Sequence, residues 1–334
     1  MDSGRLQDLL NRFPRVTVLV VGDFFLDKYL DIDPRLSEPS LETGLETYQV
    51  TSVRRYPGAA GAVANNLRAL DVNVIALGVV GEDGEGDDLR RGLDLIGVKG
   101  DGLIRAPGRF TPTYLKPMLR QGNTPARELN RFDTKNRTPL PAEIETEVIT
   151  RLHGLFTPLL GIVVVDQVSE PNCGVITDRV RQAIRELARA NSGTIVLADS
   201  RERIGEFRDV MLKPNLHEAT RATGLTDLAA AGRELCRRTH RPVIVTHGDR
   251  GMYLFDLEGE QHIPAIPVAG PIDVVGAGDS AMAGLVAGLC AGGTLAESAL
   301  VGNLAASLTI QQLGETGTAT RAQILTRFEK ACLP

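Results

Sequence analysis

The sequence predicts an α/β protein: a central, mostly parallel sheet flanked by helices, with a small β lid. Three observations carry this expectation. Short runs rich in β-branched residues recur along the chain, and each is almost continuously apolar, as strands covered on both faces are. Stretches of helical period separate them, the alternation that a parallel sheet with crossover helices requires. The runs also close on polar residues, Asp23, Asp166, Asp199, Asn215 and Thr246. Any one of these could simply cap the next helix. Five on one edge predict a cleft at the carboxyl ends of the strands, where open parallel sheets bind ligands.

The elements follow in order. VTVLVVGD (16–23), VIALGVV (74–80), GIVVVDQ (161–167), TIVLADS (194–200), VMLKPN (210–215) and PVIVTHG (242–248) read as buried strands. Between them, Ala59–Leu70, Gly86–Ile96, Pro141–Leu155, Cys173–Ala190 and Leu228–Thr239 read as helices, and the last third closes with helices at Asp279–Ala291, Leu295–Gln312 and Arg321–Ala331. Two segments break the pattern. ETYQVTSVRRY (46–56) alternates polar and apolar residues, as a strand with one wet face does. Thr111–Met118 and Glu128–Asp133 read as short extended pieces around the loop RQGNTPAR. Together they predict a lid drawn from about 31–57 and 108–133, laid over a single domain spanning 1–334.

Composition narrows the partners. The 334 residues are 43% hydrophobic and 24% charged, with a formal net charge of −5. That is an ordinary globular balance, and it leaves no broad basic face for nucleic acid or anionic membrane. No stretch reaches the roughly 18 apolar residues of a membrane span. The opening MDSGRLQDLLNRFPR lacks the apolar core of a secretory signal. Cys173, Cys236, Cys290 and Cys332 are widely spaced, which argues against a zinc site or disulfide framework and for a reducing cytoplasm.

Three motifs carry chemistry. Asp273-Val-Val-Gly-Ala-Gly-Asp279-Ser opens the helix that begins at Asp279. Its glycines allow a tight turn whose N–H groups point outward at a helix N-terminus, a natural anion site. Asp279 beside it can accept a proton while the amides of Gly276, Ala277 and Gly278 hold developing charge. An ordinary Gly-rich turn with Asp279 as N-cap is the plainer account of the same residues. The small-residue stretch from Gly58 to Asn66 allows close approach of a substrate or of a packed strand. Asn215-Leu-His-Glu218 has capping-box spacing. His217 stands apart from any metal-ligand spacing. No P-loop, dinucleotide-binding glycine fingerprint or G-x-S-x-G elbow is present.

Along nearly its whole length the chain resembles the ribokinase-like (PfkB) carbohydrate kinases. DVVGAGDS (273–280) is similar to the family signature D-[TV]-x-G-A-G-D-[ST], and VVGDFFLDKY, PGAAGAVANN, KPN-LHE and THGDRGM accompany it in order. Within the family, SVRRYPGAAGAVANNLRAL, TPTYLKPMLR, ELNRFD and IQQLGETGTAT look most like the kinase domain of bacterial heptose-phosphate kinase/adenylyltransferases. The sequence corresponds to the kinase half of that fusion.

The resemblance implies phosphoryl transfer from Mg-ATP to a sugar or sugar-phosphate hydroxyl. Asp279 would be the base and Gly276, Ala277 and Gly278 the anion hole. Asp27, Gly58 and Ala59 would hold the sugar, and Lys116 and Arg131 would meet its phosphate. Asn215, Leu216, His217 and Glu218 would line the triphosphate, with Glu218 orienting Mg²⁺ through water. Thr246, Gly248 and Gly251 would lie along the nucleotide, Asn303 near adenine, and Asp273 would help bind K⁺. The lid would pair two copies as a homodimer. The sequence departs from the family at Ala59 (usually Gly), Ala62 (usually Asn) and Val275 (often Thr). It also lacks the lysine expected after Asp166, for which Lys135, Arg201 or Arg203 could compensate. A hexose-phosphate or nucleoside kinase, and a degenerate kinase fold acting as a ligand-binding regulator, remain open beside a heptose 7-phosphate kinase.

Overall fold

A computed structural model describes residues 1–120, 122, 126–156, 161–314 and 316–332, the side chain of Cys332 excepted. Most of the loop at 121–125 therefore lies outside the described residues. The chain runs α1 (Ser3–Arg12), β1 (Thr17–Gly22), β2 (Phe24–Ile32), β3 (Glu38–Pro39), β4 (Glu46–Thr47), β5 (Val50–Ala59), α2 (Ala60–Ala69), β6 (Asn73–Gly81), α3 (Gly84–Leu95), β7 (Leu103–Ala106), β8 (Thr113–Leu119), β9 (Arg127–Glu128) and β10 (Phe132–Thr134). It continues α4 (Ala142–Leu155), β11 (Gly161–Asp166), α5 (Asp178–Ala190), β12 (Ile195–Ser200), β13 (Met211–Leu212), α6 (Leu216–Thr223), α7 (Leu228–Thr239), β14 (Val243–Thr246), β15 (Met252–Phe255), β16 (Glu260–Ile263), α8 (Ala277–Cys290), α9 (Leu295–Thr309) and α10 (Arg321–Cys332).

Among the described residues the main sheet has nine strands in the order β16-β15-β14-β13-β12-β11-β1-β6-β7. From β7 to β14 every pairing is parallel, and the β15–β16 hairpin adds an antiparallel edge. The predicted apolar runs form its centre, and β1 and β11 are buried almost throughout because helices cover both faces. One core layer lies under α1, α2, α8, α9 and α10, the other under α4, α5 and α7.

The second sheet joins β10, β8, β2 and β5 in that order, with β9 on β8. It takes in β2, which the sequence reading, with its first run ending at Asp23, did not assign as a strand: the chain passes from Gly22 on the main sheet to Phe24 on the lid with a single residue between. The lid sheet thus begins earlier than 31, and β5 extends to Ala59, beyond the predicted Tyr56. Helix α5 starts at Asp178, not Cys173. The Val175 N–H donates to the buried Asp23 carboxylate, and the Thr177 side chain caps the helix by accepting from Val180 N. Helix α1, strand β7 and the β15–β16 hairpin add to the predicted set.

Candidate active site

Helix α8 is buried nearly all round, so its axis is fixed by packing, chiefly against α9. Its N-terminus is thereby aimed at the carboxyl edge of the sheet. Gly276 is the N-cap, at φ +80° and ψ −2°. A side chain there would be strained, and its Cβ would stand 2.8 Å from Thr316 Cγ2. The turn leaves its amides unequal. Ala277 N–H donates to Val274 O at 3.2 Å and Val275 N–H to Asp273 Oδ1 at 3.0 Å. Gly278 N–H, in the first turn of α8, makes no such bond among the described residues, and a Cβ on Gly278 would meet only Lys213 Nζ, at 4.0 Å. An anion at this turn would find the Gly278 amide open and the Ala277 amide already engaged.

Asp279 stands beside the turn, half-buried. No hydrogen bond or ion pair ties its carboxylate among the described residues. Burial pushes it up to about 7, Asp199 and Asp27 add to the rise, and Lys213 and Arg201 oppose it. An unpaired carboxylate near neutrality at a helix N-terminus is equipped to take up a proton.

Asp27 reaches the same cleft from β2. Its Oδ1 meets Lys116 Nζ at 2.9 Å but off the hydrogen-bond axis, so this buried oxygen has no hydrogen-bond partner. Its Oδ2 lies against Gly58, where a Cβ would be only 2.5 Å away. Gly58 is therefore required by the close approach of β5 to this carboxylate. Ala59, the next residue, is held at φ +51° and ψ −117°, a conformation that favours glycine. Lys116 is buried and also donates to Tyr29 Oη at 3.1 Å. Burial alone would lower its pKa, but Asp27 and Tyr29 outweigh that and raise it. Lys116 thus joins the cleft as the partner of Asp27. Arg131 is more exposed, forks onto Asp133 at 2.6 and 2.9 Å and stacks over Tyr114.

Asn215 and Glu218 form the predicted capping box, with Asn215 N–H donating to Glu218 Oε2 at 2.8 Å and Glu218 N–H to Asn215 Oδ1 at 2.9 Å. Leu216 and His217 fill the first turn of α6 between them. Burial, then Asp199, raises the Glu218 carboxyl. Thr246 N–H donates to Pro214 O, which sets β14 beside this box. Gly248 is open, whereas Gly251 packs against the 263–265 segment. Asn303 donates to Ile263 O at 3.1 Å and Pro264 O at 2.9 Å and so holds the same segment. Asp273 accepts from Val275 N–H and, at 3.3 Å, from Gly314 N–H, tying the turn to the tail.

The polar strand ends divide. Asp199 pairs with Lys213 at 2.7 Å within this cleft. Asp23 and Asp166 are sealed beneath it. Asp23 accepts from Gln167, Val168 and Val175 N–H groups, and Asp166 holds Arg203 and Ser200. Arg203 is thereby consumed and cannot stand in for the missing lysine. Sequence reasoning passed over Lys213 and Tyr29. Lys213 lay within the quoted KPN-LHE stretch, but only folding brings β13 alongside the α8 turn. A cavity of about 760 Å³, lined by Arg68, Asn73, Lys99 and Arg151 among others, shares none of these residues.

The match that decides the family covers most of the chain: residues 20–321 fit the profile of the pfkB family carbohydrate kinases. The chain belongs to this family. The kinase is 31% identical to the bifunctional protein HldE of Trichlorobacter lovleyi over 333 residues, 97% of this chain and 65% of that protein. To HldE of Wolinella succinogenes it is 30% identical over 323 residues, 95% of this chain and 65% of the relative. It thus spans about 65% of the length of these relatives. The fold matches Arabidopsis thaliana ribokinase complexed with ribose and ATP, with a TM-score of 0.69 at 21% identity, covering 96% of this chain and 99% of that one. Methanocaldococcus jannaschii nucleoside kinase matches with a TM-score of 0.63 at 22% identity, covering 94% and 98%. No helix among the described residues is long and apolar enough to cross a membrane.

Proposed function

We propose that this kinase transfers the γ-phosphoryl group of Mg-ATP to a hydroxyl of a sugar phosphate, with heptose 7-phosphate as the preferred acceptor class. The observation that carries this reading is the unpaired Asp279 carboxylate, raised to about 7, beside the open Gly278 amide and facing Asp27 across one cleft. The Asp27 carboxylate, ion-paired with Lys116, suits a sugar hydroxyl donor. The glycine-lined turn, with Gly248 also open, suits a polyphosphate, whose approach no Cβ blocks. Glu218, Asn215 and Thr246 would line the nucleotide, and Glu218 would orient Mg²⁺ through water. The metal would spread the charge of the phosphate oxygens.

In the transfer, the acceptor oxygen forms a bond to the γ-phosphorus while the bond to the β,γ-bridging oxygen breaks. The hydroxyl proton passes to Asp279, and ADP departs with the electron pair. Positioning and charge stabilisation dominate the catalysis. K⁺ at Asp273 would steady the loop that Asp273 already ties to Val275 and Gly314; activity measured with K⁺ against Na⁺ tests this. Val50, Val53 and Phe132 expose apolar surface on the lid, the face through which two copies would pair; sedimentation velocity reads the outcome.

The decisive experiment is ADP release with Mg-ATP over a panel of heptose phosphates, hexose phosphates and nucleosides. Turnover highest with a heptose phosphate is expected. A wild-type enzyme that binds these ligands tightly but releases no ADP with any of them would overturn the assignment.

A further inference from the structure

Beside the α8 turn lies a cation that neither the motif nor the capping box requires. Lys213 follows β13, is 3% exposed, and places Nζ 2.7 Å from Asp199 Oδ2. The same Nζ is the single atom within 4 Å of a Cβ built on Gly278. The ammonium therefore fronts the open amide of the turn. We propose that Lys213, held in place by Asp199, is a catalytic cation that contacts the phosphoryl group during transfer. The inference deepens the phosphoryl-transfer reading and rests on it.

Charge arithmetic supports this assignment. Three carboxylates, Asp199, Glu218 and Asp279, lie close enough to act on this one ammonium, and Asp27 and Arg201 also act on Asp279. Burial would lower the Lys213 pKa, yet Asp199, Glu218 and Asp279 outweigh it and raise it, so the side chain stays charged. A structural ion pair needs one carboxylate, and Asp199 supplies it. The surplus negative charge would repel a polyphosphate from Gly278 unless a cation stood between, and Lys213 occupies that position. Lys116 is engaged on Asp27 and Tyr29 and Arg203 on Asp166, and Arg201, which also acts on Asp279, is solvent-exposed.

The test compares nucleotide affinities by calorimetry with Mg²⁺, using the β,γ-imido analogue of ATP and ADP. Lys213→Met is expected to weaken the imido analogue about 10–100-fold, the effect of losing a charge-assisted hydrogen bond, and to leave ADP within about threefold. Lys213→Arg should retain part of the discrimination. The neutral pair Asp199→Asn with Lys213→Met removes the orphaned charge, so it should regain thermal stability yet stay poor in analogue binding and turnover. Recovery of stability, binding and turnover together in the double variant would reduce the pair to a structural role and overturn the proposal, as would equal loss for both nucleotides in Lys213→Met. A wild type that binds neither nucleotide would instead overturn the kinase reading itself.

Discussion

Two carboxylate clusters sit on the same edge of the main sheet, built from the same residue types at the ends of neighbouring strands. Around Asp166 every polar atom is engaged: Arg203 Nε bonds its Oδ2 at 3.2 Å, Ser200 Oγ adds 2.6 Å, and Asp23 beneath takes three backbone N–H groups. Around Asp279 the pairs are offset from the reacting group. Asp199 has Lys213 and Asp27 has Lys116, while Asp279 has no partner among the described residues. Both clusters lift carboxyl groups, Asp166 to about 6 and Asp279 to about 7, with burial the first cause in each. The difference lies in what opposes that burial. Arg203 neutralises Asp166 in place, whereas the cations near Asp279 are bound to other acids. A perturbed carboxyl therefore marks function only when it is also left free to exchange its proton with a ligand.

Several variants would break or sharpen this contrast. Asp279→Asn should lower kcat about 10²–10⁴-fold, the scale of a general base, with the fold intact. In the wild type, activity should fall as pH drops through about 7, where Asp279 takes up a proton, and a pH–rate profile reads that limb. Asp166→Ala should act on stability instead. It leaves the buried Arg203 without its acid, at a cost of about 3–5 kcal/mol by urea unfolding. Turnover per folded molecule should stay near that of the wild type; a loss as large as that of Asp279→Asn would erase the contrast.

A third measurement uses the pH dependence of stability. The folded-state pKa of Asp279 is raised from 3.8 to about 7, so the native chain holds this proton more tightly than the unfolded one. That contribution is complete below about pH 4 and is lost as pH rises through 7. Asp279→Asn should therefore match the wild type in stability at pH 4 and exceed it by roughly 1–2 kcal/mol at pH 8, after discount for solvent screening. The smallest effect concerns Ala59, strained at φ +51°. Ala59→Gly should raise stability by up to about 1 kcal/mol through relief of that strain, partly offset by the greater freedom of glycine when unfolded. A clear loss of stability would show that the Ala59 methyl contributes packing that outweighs the strain.

Much of this was legible in the chain. The continuous apolar runs marked the central strands because a strand buried on both faces cannot carry polar residues, and α7 falls on the predicted 228–239 for the same reason of strict period. The turn at 273–280 and the capping box at 215–218 were visible because both are local: their geometry is set by a few neighbouring residues. Strand β2 was harder to see, since only Asp23 separates it from β1. The partners of the charged groups were out of reach. Asp27 and Lys116 are 89 positions apart, Asp166 and Arg203 are 37 apart, and no periodicity links either pair.

By itself, then, the sequence determined the alternating strands and helices, the glycine-rich turn that opens α8 and the family likeness, all properties of short windows and side-chain period. Only the tertiary structure decided which acid at the sheet edge is neutralised and which stays open. Electrostatic pairing depends on distances of a few ångströms between segments far apart in the chain, and these exist only once the sheet, the lid and α8 have packed together.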